Sequence, residues 1–141
     1  MTINEMKQSY KQSYTDNVEL SIFNCGHEPC LSGHTWGPGV RDHYLIHLVV
    51  AGKGVYQVNG ASYTLQAGDL FLAKPNQLIT YAADETDPWE YYWVGFNGAC
   101  ANKLVVFGQA AKEPAACVFL VFSIANPTKN ANSFCAAFMD F

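Results

Sequence analysis

The chain has 141 residues, of which 50% are hydrophobic and 14% charged, and its formal net charge is -4. That length builds one domain rather than two, and that apolar content fills a core, which excludes a disordered tail. With 8 basic residues against 12 acidic ones, the chain lacks the basic face of a nucleic-acid binder. The longest apolar run, Cys117–Ala125 around Ser123, falls well short of the roughly 20 residues of a membrane helix. The polar start MTINEMKQSYKQSY lacks the apolar stretch of a secretion signal, and the 5 cysteines contain no C-x-x-C pair. Both features predict a reduced, cytoplasmic setting without membrane contact.

In chain order, the polar first sixteen residues predict a frayed or helical arm. Val18–Asn24 predicts a first strand. Gly26–Gly39, with Pro29, Gly33, Gly37 and Pro38, predicts mostly loop. Tyr44–Ala51 is apolar and rich in β-branched residues, as a strand should be, and Gly52-Lys53-Gly54 turns it. Val55–Val58 and Ser62–Leu65 flank Asn59-Gly60, the signal of a type I′ hairpin. Leu70–Ala73, Leu78–Ala82 and the aromatic Trp89–Phe96 read as further strands, with an acidic loop at 84–88 between the last two. Turns recurring every 8–12 residues or so mark an all-β sandwich or barrel, not alternating βα units. Leu104–Phe141 differs, since 24 of its 38 residues are hydrophobic and neither a helical nor a strand period runs through it.

His43 and His47 share a strand face, but four steps along a strand separate them by roughly 13 Å, too far for one metal ion. Alternation places Arg41, His43, Leu45, His47 and Val49 on one side of that strand. Both sides are apolar further along, which predicts cover on both faces. A guanidinium and two imidazoles facing an interior need water, a polar ligand or a protein partner. Two readings stand, a ligand pocket or side chains satisfied by backbone and carboxylates. Cys25, His27, Cys30 and His34 are zinc-compatible residue types, yet their C-x-H-x-x-C-x-x-x-H spacing matches no standard finger. Trp89, Tyr91, Trp93 and Gly95 share one face of the aromatic strand. Rings with polar tips suit a sugar, and they equally suit an aromatic core. The chain contains no G-x-S-x-G, P-loop or dinucleotide fingerprint.

The run GHTWGPGVRDHYLIHLVVAGKGVYQVNGASYTLQAGDLFLAKPN at 33–76, followed by ADETDPWEYYWVGFNG at 83–98, resembles the N-terminal effector domain of AraC-type transcriptional regulators. The likeness covers about Cys25 to Gly98 and is greatest to regulators of multiple-sugar and raffinose or melibiose use. It implies an all-β, cupin-like jelly-roll barrel with a sugar pocket inside, followed by a helical dimerisation segment. Metal-binding cupins place two histidines, a glutamate and a third histidine on inward positions. Those positions align here with Gly39, Arg41, Leu45 and Ile79, none an ordinary metal ligand, so no metal, other cofactor or catalysis is expected.

The resemblance carries sugar contact onto Tyr81, Tyr91 and Trp93. Strand parity adds Arg41, His43 and His47, and Trp36, read as a loop residue, is placed at the pocket mouth. The expected organisation is a ligand-binding barrel with an N-terminal arm over 1–103 and an apolar tail over 104–141. Such regulators continue into two helix-turn-helix motifs, for which this tail is too short and too neutral. The expected function is therefore sugar sensing and homodimerisation, with Val118–Ile124 as the expected contact. DNA contact belongs to a C-terminal domain outside this chain. The alternative is a small cupin enzyme acting on a sugar, an isomerase or epimerase.

Overall fold

The computed structural model describes residues 7–11, 21–99 and 101–102. They form β1 (Gln8–Lys11), β2 (Ser21–Pro29), β3 (Thr35–Gly39), β4 (Tyr44–Ala51), β5 (Lys53–Val58), β6 (Ala61–Gln66), β7 (Leu70–Ala73), β8 (Ile79–Ala83) and β9 (Glu90–Asn97). One sheet runs β1-β2-β9-β4-β7 and the other β3-β8-β5-β6. Their ladders are antiparallel. Among the described residues, only β1–β2 and β5–β6 join consecutive strands, so the chain crosses repeatedly between the sheets, as in the expected jelly roll.

The hairpin β5–β6 follows directly from its sequence. Asn59 (φ 52°) and Gly60 (φ 77°) both lie in the left-handed region, which the tight I′ turn requires. Along β5, Gly54 and Tyr56 are buried while Lys53, Val55 and Gln57 are exposed, a clean period of two. β8 likewise buries Ile79, Tyr81 and Ala83. β4 is buried from Leu45 through Val49, hence on both faces, as its apolar run predicts.

Two segments differ from the sequence reading. Gly26–Gly39 is not mostly loop, because β2 runs on to Pro29 and β3 covers Thr35–Gly39. Gly26 is tolerated because it is paired on both sides, with Ser9 of β1 and Trp93 of β9. Pro29 stands at the end of its strand, and Pro38 lies on an edge strand whose register shifts between Trp36 and Gly39, the places where a missing N–H costs least. In the polar arm, Gln8–Lys11 is a strand that covers the edge of β2, not a frayed or helical segment. The expected first strand begins at Ser21, and its residues 18–20 lie outside the described residues, as does the tail at 104–141 with Val118–Ile124.

The core lies between the sheets. Phe71, Ile79, Tyr81, Trp89 and Tyr91 are buried together, with Trp36, Val58 and Leu65 packed against them. Trp89 lies flat over Gly54, where a Cβ would come within 2.4 Å of its ring, so β5 can pass only with a glycine there. The Tyr56 hydroxyl donates to the Leu72 carbonyl at 2.8 Å and ties the two sheets together.

Candidate ligand-binding site

Between the sheets a cavity of about 160 Å³ remains, and its walls come from five strands and the segments beside them. β4 contributes Leu45 and His47, and β9 contributes Tyr91 and Trp93. These four share a face because His47 pairs with Trp93 and Leu45 with Gly95 across the ladder. β8 and β3 contribute Tyr81 and Trp36, which are direct cross-strand partners. Arg41 enters just before β4.

Arg41, Trp36 and Tyr81 form one cluster. The guanidinium lies 3.8 Å from the Trp36 ring centroid. Its Nη2 donates to the Tyr81 hydroxyl at 3.0 Å, and the Trp36 and Tyr81 rings stack at 5.5 Å. Arg41 Nε is buried with no hydrogen-bond partner among the described residues. Burial pushes the Tyr81 hydroxyl pKa up, against the pull of Arg41, so the phenol stays protonated.

His47 is 2% exposed. It stacks on Phe71 at 4.3 Å and meets the Tyr91 edge at 4.6 Å. Burial, with the charges of Arg41 and Lys7 acting in the same direction, holds its pKa well below 6.5. The imidazole is therefore neutral, with Nδ1 buried and without a hydrogen-bond partner among the described residues.

Of the seven residues singled out from the sequence, Trp36, Arg41, His47, Tyr81, Tyr91 and Trp93 line this cavity. Trp36 does so from β3, not from a loop. His43 is not among the lining residues. Its Nδ1 meets the Asp42 carboxylate at 2.7 Å, its ring stacks on Phe23 at 4.4 Å, and its Nε2 is buried with no hydrogen-bond partner among the described residues.

The structure adds lining residues that the sequence reading missed, among them Lys7, Asn24 and Glu28, with His34, which entered only as a metal candidate. Glu28 is only 5% exposed. It faces Tyr91 across β2–β9, and the Tyr91 hydroxyl donates to its Oε2 at 3.1 Å. Asn24 and Glu28 share the inward face of β2. Recognising that strand past Gly26 would have exposed the pattern, and cutting it at Asn24 hid Glu28. Lys7, on the arm beside β1, places its Nζ 5.4 Å from the Trp93 ring centroid.

The zinc-compatible quartet does not come together. His27 turns outward to Glu90 at 2.6 Å and stacks on Tyr92, while His34 turns toward Glu28. Cys30 is a buried thiol whose pKa is pushed up to about 12, mainly by burial, the reverse of what a metal-binding thiolate needs. Among the described residues no group of three or more His, Cys, Asp or Glu is placed to hold a metal ion. Of the four residues expected at the metal positions of cupins, Arg41 and Leu45 line the cavity, while Ile79 is buried core and Gly39 packs under the Trp36 ring.

Chemically, the cavity offers aromatic faces, uncharged hydroxyls and imidazole, a guanidinium and a carboxylate. Among the described residues no helix is long and apolar enough to cross a membrane.

The fold is that of cupin barrels. A cupin 2 conserved barrel domain protein from Salinispora arenicola superposes with a TM-score of 0.53, covering 69% of this chain and 79% of that one at 18% identity. In sequence, the chain is 38% identical to the Msm operon regulatory protein of Streptococcus mutans over 96 residues, which is 68% of this chain and 34% of that one. It is 33% identical to the raffinose operon transcriptional regulatory protein RafR of Pediococcus pentosaceus over 106 residues, 74% of this chain and 38% of that one. The chain thus spans little more than a third of the length of either regulator. The family model for the AraC-like ligand-binding domain matches residues 24–117, which include every cavity residue named above except Lys7. By fold, by cavity and by that match, this chain belongs to the AraC-like ligand-binding domain family.

Proposed function

We propose that this chain is the sugar-sensing and dimerisation domain of a cytoplasmic AraC-type regulator of a sugar operon, acting by binding and not by catalysis. One observation carries the reading. An interior cavity is lined by Trp36, Tyr81, Tyr91 and Trp93, with Arg41 and Glu28 supplying donor and acceptor. Sugars present C–H faces that stack on rings and hydroxyls that both donate and accept. At about 160 Å³ the cavity is smaller than the roughly 300–1,000 Å³ of drug-sized sites, which suits one sugar ring. The match to regulators named for sugar operons supports the same reading. The barrel over 1–103 would hold the ligand and the tail over 104–141 would pair two copies. DNA would be contacted through a further domain.

A thermal-shift screen of mono- and oligosaccharides on the purified chain tests this. A true effector at 100 times its Kd adds about 2.7 kcal/mol of stability. Arg41→Ala should then weaken its binding by about tenfold in calorimetry. A screen in which no saccharide raises Tm overturns the reading. Unchanged affinity in both Arg41→Ala and Trp93→Ala moves the site elsewhere. Sedimentation tests the pairing, with a dimer expected for the chain and a monomer after truncation at Lys103.

A further inference from the structure

We propose that β6 is a second contact surface of this chain, pairing edge to edge with β6 of another copy in an antiparallel ladder about a two-fold axis. This contact is separate from the tail pairing proposed above. The two sheets end in β1 and β7 and in β3 and β6. An end strand exposes unpaired N–H and C=O groups, and proteins guard such edges with charge, proline, bulges or brevity. β1 has 4 residues, one of them Lys11. β7 also has 4, and Lys74-Pro75 follows it. β3 holds Pro38 and a shift in register. β6 has 6 residues, Ala61–Gln66, with no charge, no proline and an unbroken register against β5. Among the described residues it is the edge that lacks every guard.

The ladder decides which groups point outward. Val58 and Ala61 flank the two-residue turn, so they form a hydrogen-bonded pair, and Tyr56 and Tyr63 form the next one. Ser62, Thr64 and Gln66 therefore turn their N–H and C=O away from β5. Gln66 bears this out, since its N–H donates to the Asp69 carboxylate at 2.8 Å and its C=O accepts from the Asp69 N–H at 2.9 Å. Ser62 and Thr64, both exposed, are left with their main-chain groups on the open edge.

A second copy fits this edge because the pattern is its own complement. With the axis through Tyr63, Ser62 meets the partner's Thr64 and Thr64 meets the partner's Ser62, closing about four main-chain hydrogen bonds. Tyr63 then faces the partner's Tyr63, an aromatic cross-strand pair. This gives a role to a ring that is 52% exposed on the folded chain. No charge in β6 opposes its copy across the axis. The pairing uses up the edge of both copies, so it closes on two and does not propagate. One short strand pair buries less than the roughly 1,200 Å² of a stable interface. It therefore joins copies only at high concentration, or where another contact already holds them close.

Sedimentation equilibrium of the whole chain over a concentration series tests this. The average mass should climb toward twice its low-concentration value, whether that value is a monomer or the tail-paired dimer. Thr64→Pro removes an outward N–H that β5 does not use, and Tyr63→Lys sets two like charges opposite each other on the axis. Each should abolish the climb and leave the low-concentration mass unchanged. A mass that does not vary with concentration overturns the proposal, and so does a climb that either folded variant retains. Should Thr64→Pro fail to fold, Tyr63→Lys decides alone. Sugar sensing and the tail pairing, which have their own tests, stand or fall separately.

Discussion

The β5–β6 hairpin and the β4–β9 pair are built from the same antiparallel ladder, and they differ in what their faces meet. In β5 one face is wet, so Lys53, Val55 and Gln57 alternate with buried Gly54 and Tyr56. In β4 and β9 both faces are covered. Ile46, Val94 and Phe96 are buried on one side, and His47, Tyr91 and Trp93 lie against the cavity on the other. A strand half in water can change its wet face freely and has little to offer a ligand. A strand covered twice can hold polar groups out of water, where their hydrogen bonds are strong and their orientation is fixed.

The contrast can be broken most severely at Trp89. It is 1% exposed and seated on Gly54, so Trp89→Ala should cost about 3–5 kcal/mol, read from the urea midpoint at constant slope. A loss under 1 kcal/mol would mean that the barrel core collapses around the gap. Next comes Tyr91→Phe, which removes the donor to a buried carboxylate. A stability loss of about 1–3 kcal/mol is expected in the same measurement. No loss would mean that Glu28 finds another donor.

The third prediction concerns pH. The folded-state pKa of His47 is depressed below its ordinary 6.5, so the unfolded chain takes up a proton that the folded chain refuses. Stability should be full above about pH 6.5 and decline below it toward the folded pKa, by up to about 1.4 kcal/mol per pH unit. His47→Gln should flatten that part of the profile. An unaltered profile in the variant would assign the decline to other groups. The smallest effect belongs to the hairpin. Val55→Thr, on its wet face, should shift stability by no more than about 0.5 kcal/mol. A larger change would show that this face is covered in solution.

The same contrast explains what could be read in advance. The hairpin turn at Asn59-Gly60 and the strands β4 and β7 were legible from turn chemistry and apolar runs, since local sequence decides both. The extension of β2 through Gly26 to Pro29 was not legible, because two neighbouring strands impose it on residues of low strand propensity. Glu28 was lost with it. Arg41, His47, Tyr81, Tyr91, Trp93 and Trp36 could be named from parity and resemblance. His43 obeys the same parity and yet turns to Asp42, because an exposed carboxylate one residue away competes for its ring. Parity gives a face, and the partners across the barrel decide which side chains on that face reach a cavity.

Two of the 3 tryptophans, Trp36 and Trp93, border the cavity, and each lies near a cation, Arg41 and Lys7 respectively. Trp89 is sealed beneath β5 and reaches the lining only through its contact with Tyr91. The domain therefore carries an internal optical gauge. A molecule entering the cavity displaces water from two indoles and disturbs the charges beside them, while the third emits against a constant background. Occupancy can be followed by native fluorescence, without a dye, and Trp36→Phe and Trp93→Phe would separate the two sides of the cavity.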